Sequence, residues 1–93
     1  MSAKDAAHWG LVNRLTEPGG ALAEARVLAL EISQNGPLAV RMTKHIMSQS
    51  PNWPADQKWP QQNEILERVI ASNDAREGAL AFSEKRAPNW TGT

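Results

Sequence analysis

Proline and glycine divide this chain into short segments, and these breaks constrain its fold more than any other feature of the sequence. Residues 17–20 contain Pro18 and two glycines and predict a turn, whereas Gly36 followed by Pro37 is the usual order for the end of one helix and the start of the next. Prolines within 50–54 also oppose helix. Between these breaks the apolar residues recur at helical spacing, so we predict an all-α chain of short helices with short connections.

The first segment differs from the rest because it predicts a strand as well as a helix. Ser2 is an N-cap residue for a helix over 3–8, with Asp5 at the third position, and Gly10 is placed to end it in the left-handed conformation. Residues 11–13 that follow are long enough only for an edge or terminal strand. Further helices are predicted at about 21–34, 37–50, 60–72 and 74–86.

The helix predicted at 37–50 has an unusually wide apolar surface. Its apolar side chains, among them Leu38, Met42 and Ile46, spread over roughly 200° of the helix circumference. One neighbouring layer cannot cover so wide an arc. We therefore expect this helix to contact both its own domain and a second surface, either a missing core or another subunit.

The last helix has the clearest local signals. Residues 72–74 all offer capping side chains, and Asp74 with Glu77 has the spacing of a capping box. Phe82 shares a face with alanines and lies beside a glycine, so another backbone can approach closely, and Lys85 follows it at i+3. An ammonium beside an aromatic ring suits an anionic ligand that carries a flat heterocycle. The alternative is that Phe82 is a core residue and Lys85 is simply solvated.

Composition excludes several classes of function. The chain has 93 residues, no cysteine, and equal numbers of basic and acidic residues. Disulfides and thiolate sites are therefore excluded, and there is no excess basic charge for nucleic acid. The two histidines, His8 and His45, have no ligands at metal-binding spacing, so we expect no metal. No apolar run reaches a membrane span and no signal-peptide core is present, so we expect a cytoplasmic protein that does not bind membranes.

Three stretches of the chain carry a family resemblance. They are Ala3-x-Asp5-Ala6-x-x-Trp9-Gly10-Leu11-Val12-Asn13-Arg14, then Asn35-Gly36-Pro37-Leu38-Ala39-Val40, and finally Ser72-x-Asp74-x-x-Glu77-Gly78-x-x-Ala81-Phe82-x-x-Lys85-Arg86-x-Pro88-x-Trp90-x-Gly92. In this order they resemble the C-terminal part of the enoyl-CoA hydratase/isomerase (crotonase) family. The resemblance covers essentially the whole chain.

The resemblance implies a fold, an activity and a missing part. Residues 1–17 would be a helix-strand remnant of the crotonase spiral core, and 18–93 the C-terminal helical domain that mediates oligomerisation and contacts CoA. Members of the family are longer, and their oxyanion-hole amides and catalytic glutamates precede the segment that starts here. The chain would thus be part of an enzyme that adds water to 2-enoyl-CoA thioesters, without catalytic residues of its own. An isomerase or another acyl-CoA lyase is the alternative parent.

The resemblance also implies a binding role for particular residues. Phe82 and Lys85 of one subunit would contact the adenine and phosphate end of CoA bound by the neighbouring subunit. CoA would enter only as part of the substrate, with no separate cofactor. Trp53 and Trp59 flank a proline-bounded loop and are candidates for a wall of the acyl pocket, the alternative being ordinary packing of loop against helix.

The expected partners are acyl-CoA and further copies of the chain. The resemblance implies a trimer or a dimer of trimers in the parent enzyme. A different class of function is a free-standing helical module that self-associates and has no catalytic activity. The wide apolar arc at 37–50 favours self-association in either case.

Overall fold

A computed structural model describes all residues from 1 to 93 and contains five α-helices and no strand. The predicted all-α class is therefore confirmed. The residues divide into two compact units, Met1–Ile32 and Ser33–Thr93. The helices are α1 (Ala3–His8), α2 (Ala21–Ser33), α3 (Pro37–Gln49), α4 (Lys58–Ile70) and α5 (Asn73–Glu84).

The first unit is built from α1, a connecting segment and α2. Ser2 caps α1 as predicted, since its hydroxyl accepts from the Asp5 amide while the Asp5 carboxylate accepts from the Ser2 amide. Gly10 has a φ of 73°, which ends the helix in the left-handed conformation. Beyond the predicted turn at 17–20, where the Gly20 amide donates to the Glu17 carbonyl, α2 begins at Ala21.

The strand predicted at 11–13 is not formed. These residues are bends with no ladder hydrogen bond, and Leu11 is 65% exposed. A strand needs a neighbour for its amide and carbonyl groups, and no second strand is present here. The connecting segment is held instead by the Arg14 guanidinium, which donates to Glu24 at 2.7 Å and also to Glu31. The assignment of residues 1–17 to a spiral core remains a prediction.

The second unit places α3 against α4 and α4 against α5. The loop predicted at 50–54 contains a single 3₁₀ turn, Ser50–Asn52, closed by the Trp53 amide donating to the Ser50 carbonyl at 3.2 Å. α4 begins at Lys58, two residues before Pro60, where the sequence predicted its start. Pro60 lies within the first turn, where its missing N–H costs nothing because that N–H would have no partner inside the helix.

The second unit buries little apolar surface. The apolar residues of α3 are at most half-buried, and Met47 is 71% exposed. On α4, Ile65 and Val69 are half-buried whereas Ile70 is 66% exposed. Much of the apolar surface that the sequence assigns to packing therefore remains in contact with solvent.

Candidate functional site

The C-terminal tail folds back onto the start of α5 through one buried carboxylate. Asp74 is 4% exposed, and its two oxygens accept from the Thr91 amide at 2.7 Å, the Thr91 hydroxyl at 3.1 Å and the Gly92 amide at 2.9 Å. The Asp74 amide donates in return to the Thr93 carbonyl at 2.9 Å. Hydrogen bonds to a charged group are among the stronger ones, so Asp74 is the main anchor of the tail.

Trp90 is the apolar anchor of the same tail. Its indole Nε1 donates to the Gln34 carbonyl at 2.8 Å, and its ring lies over Gly78 and Gly36. A Cβ added at Gly78 would lie 3.1 Å from Trp90 Cη2, and one at Gly36 would lie 3.6 Å from Cζ3. Glycine at 78 therefore makes room for the ring. Gly36 was predicted as the glycine that ends the preceding helix; in the structure its φ is −54° and it is the N-cap of α3.

Glu77 fixes the stretch between the helix and Trp90. Its carboxylate receives Arg86 Nη1 and Nη2 at 2.6 and 3.1 Å, in a bidentate pair, and the Asn89 amide at 2.7 Å. The Arg86 pair, followed by the Asn89 amide, lowers the pKa of Glu77 from 4.5 to about 2, and the pKa of Arg86 is raised chiefly by Glu77 and then by Glu84. Glu77 is therefore a carboxylate across the physiological range.

The capping box predicted for Asp74 and Glu77 is not formed. Ser72 is the N-cap, and its hydroxyl accepts from the Ala75 amide at 3.0 Å. Both carboxylates bind the tail instead, because the tail returns to this helix end and presents unpaired amides to them. The Asp74 and Glu77 spacing is thus explained by the docking of the tail rather than by capping.

Phe82 and Lys85 lie at the opposite end of α5. Phe82 is 88% exposed, so the alternative of a core residue does not apply within this chain. Lys85 ends the helix with a φ of 54°, and forms no ion pair. The Lys85 amide donates to the Phe82 carbonyl and the Arg86 amide to the Ala81 carbonyl, which is the Schellman arrangement. Both side chains are thus available to a ligand.

The two tryptophans proposed as an acyl-pocket wall do not line one cavity. Trp59 is 69% exposed and lines an open concavity of about 200 Å³ together with Ser50, Ala55, Lys58 and Gln62. Trp53 is half-buried beside the 3₁₀ turn and is not part of that lining. Their role in an acyl pocket remains a prediction.

A second concavity was not foreseen from the sequence. It has a volume of about 210 Å³ and lies between α3, α4 and the first half of α5, with Trp90 as one wall. Ala39, Val69, Ala75 and Ala79 are among its apolar lining residues, and Phe82 is outside it. The face of α5 that carries Ala75, Gly78 and Ala79 thus borders a cavity within the second unit.

Two absences concern other kinds of site. No group of three or more histidine, aspartate or glutamate side chains is placed to hold a metal ion. None of the five helices has the length and apolar character needed to cross a membrane.

Comparison with known proteins decides the family. The model of the enoyl-CoA hydratase/isomerase family matches residues 1–93. The chain belongs to this family. The resemblance inferred from the three sequence stretches is therefore confirmed.

The chain matches only part of the length of its curated relatives. Carnitinyl-CoA dehydratase of Salmonella arizonae is 38% identical over 99% of the chain, which covers 37% of that protein. Enoyl-CoA hydratase EchA19 of Mycobacterium tuberculosis is also 38% identical, over 97% of the chain and 34% of that protein. The chain thus spans little more than a third of these curated relatives.

Solved structures agree with the helical arrangement. A crystal structure of an enoyl-CoA hydratase from Mycobacterium tuberculosis is 52% identical, with a TM-score of 0.92 over all of this chain and 37% of that one. EchA1 from Mycobacterium marinum gives 53% identity and a TM-score of 0.91 at the same coverage. The chain therefore has the fold of a portion of these crotonase-fold proteins.

The sequence did not predict the contacts between α5 and the tail. Asp74 and Glu77 were predicted to cap α5, yet together with Arg86 they hold the segment that follows Lys85. Arg41 of α3 also reaches the tail, since its Nη2 donates to the Gly92 carbonyl at 3.1 Å. Only the return of the tail, which local spacing does not encode, brings these groups together.

Proposed function

We propose that this chain is the C-terminal helical part of an enoyl-CoA hydratase, an enzyme that adds water to 2-enoyl-CoA thioesters. The observation that carries the proposal is the family match over residues 1–93 combined with coverage of only 37% of a solved enoyl-CoA hydratase. The chemical centre, with its oxyanion-hole amides and catalytic glutamates, belongs to the portion that this chain does not match. The chain contributes subunit association and part of the acyl-CoA pocket.

Phe82 and Lys85 are the proposed contacts to CoA bound by the neighbouring subunit. The exposure of Phe82 and the unpaired ammonium of Lys85 support this role, because an aromatic face packs on a purine and an ammonium pairs with phosphate. Trp53 and Trp59 are proposed to line the acyl end.

The first test is activity with crotonyl-CoA. The complete enzyme should hydrate it, whereas the isolated 93-residue chain should not. Hydration by the isolated chain would contradict the placement of the chemical centre elsewhere. Lys85→Ala in the complete enzyme should weaken binding of the CoA ester without abolishing turnover, and unchanged binding would overturn the proposed role of Lys85.

A dehydratase is a second candidate for the parent enzyme. Several of the curated relatives are named carnitinyl-CoA dehydratase, at 35% to 38% identity. Loss of water from a 3-hydroxyacyl-CoA is the reverse of hydration and uses the same thioester activation. Turnover of carnitinyl-CoA in preference to crotonyl-CoA by the complete enzyme would favour this candidate.

A free-standing association module is the alternative from a different class. The intact mass of the protein made from its native gene separates the two. A mass several times above 10.2 kDa supports an acyl-CoA enzyme, whereas a mass near 10.2 kDa supports a module without catalysis.

A further inference from the structure

Lys85 has an unusual backbone conformation at the position where the proposed CoA contact lies. It is the only residue other than glycine with a positive φ, at 54°. The left-handed region is unfavourable for a lysine, since its Cβ crowds the following carbonyl. A residue held in such a conformation needs surrounding contacts that enforce it.

The side chain of Arg86, the residue after Lys85, binds two carboxylates of α5. Its Nη atoms form the bidentate pair with Glu77, two turns back on α5, and its Nε donates to Glu84, the last residue of the helix. Lys85 therefore lies between Glu84 and Arg86, whose side chains are bonded to each other. The Asn89 amide, three residues after Arg86, also donates to Glu77 and fixes the backbone there.

Because Arg86 is paired with Glu77 and Glu84, Lys85 is the unpaired cation at this end of α5. Two carboxylates accept from the Arg86 guanidinium, so its charge is compensated, whereas Lys85 has no carboxylate partner. An anion that approaches the end of α5 meets the unpaired ammonium of Lys85, three residues along the chain from the exposed Phe82.

From this geometry we infer that Glu77 and Arg86 are positioning residues, which hold Lys85 in the left-handed conformation and so direct its ammonium to the phosphate groups of a CoA ester. The inference rests on the proposed function of Lys85. Neither Glu77 nor Arg86 contacts the ligand in this account; both act through the backbone of Lys85.

The test uses Glu77→Gln in the complete enzyme with two substrates, an enoyl-CoA and the corresponding enoyl-pantetheine thioester, which lacks the nucleotide. Positioning predicts that KM for the CoA ester rises about three- to tenfold, as expected for partial loss of one charge-assisted contact, while kcat changes little. KM for the pantetheine thioester should not change. A general loss of structure would instead affect both substrates.

The direction of the change separates positioning from simple electrostatics. Removing the Glu77 charge leaves the Arg86 cation less compensated, which by itself would attract phosphate and lower KM. A lowered or unchanged KM for the CoA ester therefore overturns the inference. Arg86→Lys, which keeps the charge but loses the bidentate geometry, should raise KM in the same direction as Glu77→Gln.

Glu64→Gln is the matched control. Glu64 pairs with Arg68 on the exposed surface of α4, and neither residue pairs with Glu77, Lys85 or Arg86, so the substitution breaks an ion pair that does not involve these residues. KM for both substrates should stay unchanged. A rise equal to that of Glu77→Gln would show a nonspecific effect and would overturn the inference.

Comparison with Lys85→Ala separates the inference from the proposed function. If Lys85→Ala raises KM selectively and Glu77→Gln adds no further increase to it, positioning is supported. If Lys85→Ala is selective and Glu77→Gln has no effect, positioning is overturned while the proposed function stands. If Lys85→Ala itself has no effect, the proposed role of Lys85 fails, and the inference fails with it.

A measurement on the 93-residue chain needs no ligand. The amide-to-α-proton coupling of Lys85 reports its φ, and amide exchange of Arg86 reports the closing bond to Ala81. Glu77→Gln should shift the coupling away from its left-handed value and increase exchange at Arg86. An unchanged Lys85 conformation would overturn positioning whatever the kinetics show.

Discussion

Gly78 of α5 and Lys85, the residue that follows this helix, both differ from what local helix preference favours. Lysine at 85 occupies a position where glycine is the favoured residue. Glycine at 78 occupies a helix interior, where alanine is more favourable by about 1 kcal/mol. Both residues oppose local helix preference. Glycine at 78 is explained by its contact with the Trp90 ring in the folded chain, whereas the side chain of Lys85 has no ion-pair partner within the chain.

Lys85→Gly should stabilise the chain while Lys85→Ala should not. Glycine removes the left-handed strain, and after subtracting its larger unfolded-state entropy the expected gain is about 1 kcal/mol. Alanine retains the strain. Urea unfolding of the two variants and the original chain measures the difference, and equal midpoints for the two variants would contradict a strained Lys85.

Gly78→Ala should destabilise the original chain but stabilise a chain that also carries Trp90→Ala. A Cβ 3.1 Å from the Trp90 ring displaces a side chain that is fixed by its bond to Gln34. Without the ring, the substitution gains about 1 kcal/mol of helix propensity. A double-mutant cycle of unfolding free energies measures this reversal of sign, and additive effects would contradict the contact.

At the scale of the element, α5 is a helix whose polar residues mostly serve the segment after it. Ser72 alone supplies the N-cap, which leaves Asp74 and Glu77 to accept four backbone and side-chain donors from the tail besides Arg86. The tail in turn brings Trp90 against the helix. α5 and the tail therefore form one structural element, held mainly by two carboxylates.

The contribution of Glu77 to this element should be lost in acid. Its folded pKa of about 2 lies below its ordinary value of 4.5, so the stabilisation is fully present above pH 4.5 and is lost as the pH falls through about 2. The difference in unfolding free energy between the original chain and Glu77→Gln should therefore shrink over this interval and be constant above it.

Other carboxylates also titrate in acid, but the comparison with Glu77→Gln cancels their contributions. Exchange of the Asn89 amide provides a local readout of the same loss. A difference that stays constant between pH 4.5 and 2 would contradict the ion pair.

At the scale of the whole molecule, very little apolar surface is buried. Ala6 and Ala81 are the only buried hydrophobic residues, and no large side chain is fully buried. Exposed large apolar side chains occur in both units, for example Leu22 at 65% and Leu30 at 64% in the first, and Met47 and Phe82 in the second. Surfaces of this kind are typical of interfaces.

The isolated chain should therefore self-associate. Burial of exposed apolar surface stabilises an oligomer by about 25 cal/mol for each Å² removed from water, less the cost of association. Light scattering at increasing protein concentration measures the mass. Met47→Lys, on the exposed side of α3, should weaken association, whereas Ser48→Lys is the matched control. A dilute, monodisperse and stably folded monomer would contradict the expectation.

The sequence by itself determined the helices, because their boundaries depend on local contacts. Ser2 with Asp5, Gly10, Pro37 and Ser72 each act on residues within one turn, and the helices end within about two residues of the predicted positions. The three family stretches likewise lie in the linear order of residues, so the family was recognisable without a structure.

Only the tertiary structure decided how the site is assembled. The contacts of Asp74 with Thr91 and Gly92, and of Trp90 with Gln34 and Gly78, join residues from 12 to 56 positions apart. The failure of the strand at 11–13 has the same origin, since a strand depends on a neighbour that its own residues do not specify. Local spacing encodes which residues begin and end a helix, whereas the return of the chain decides which carboxylates, rings and amides meet.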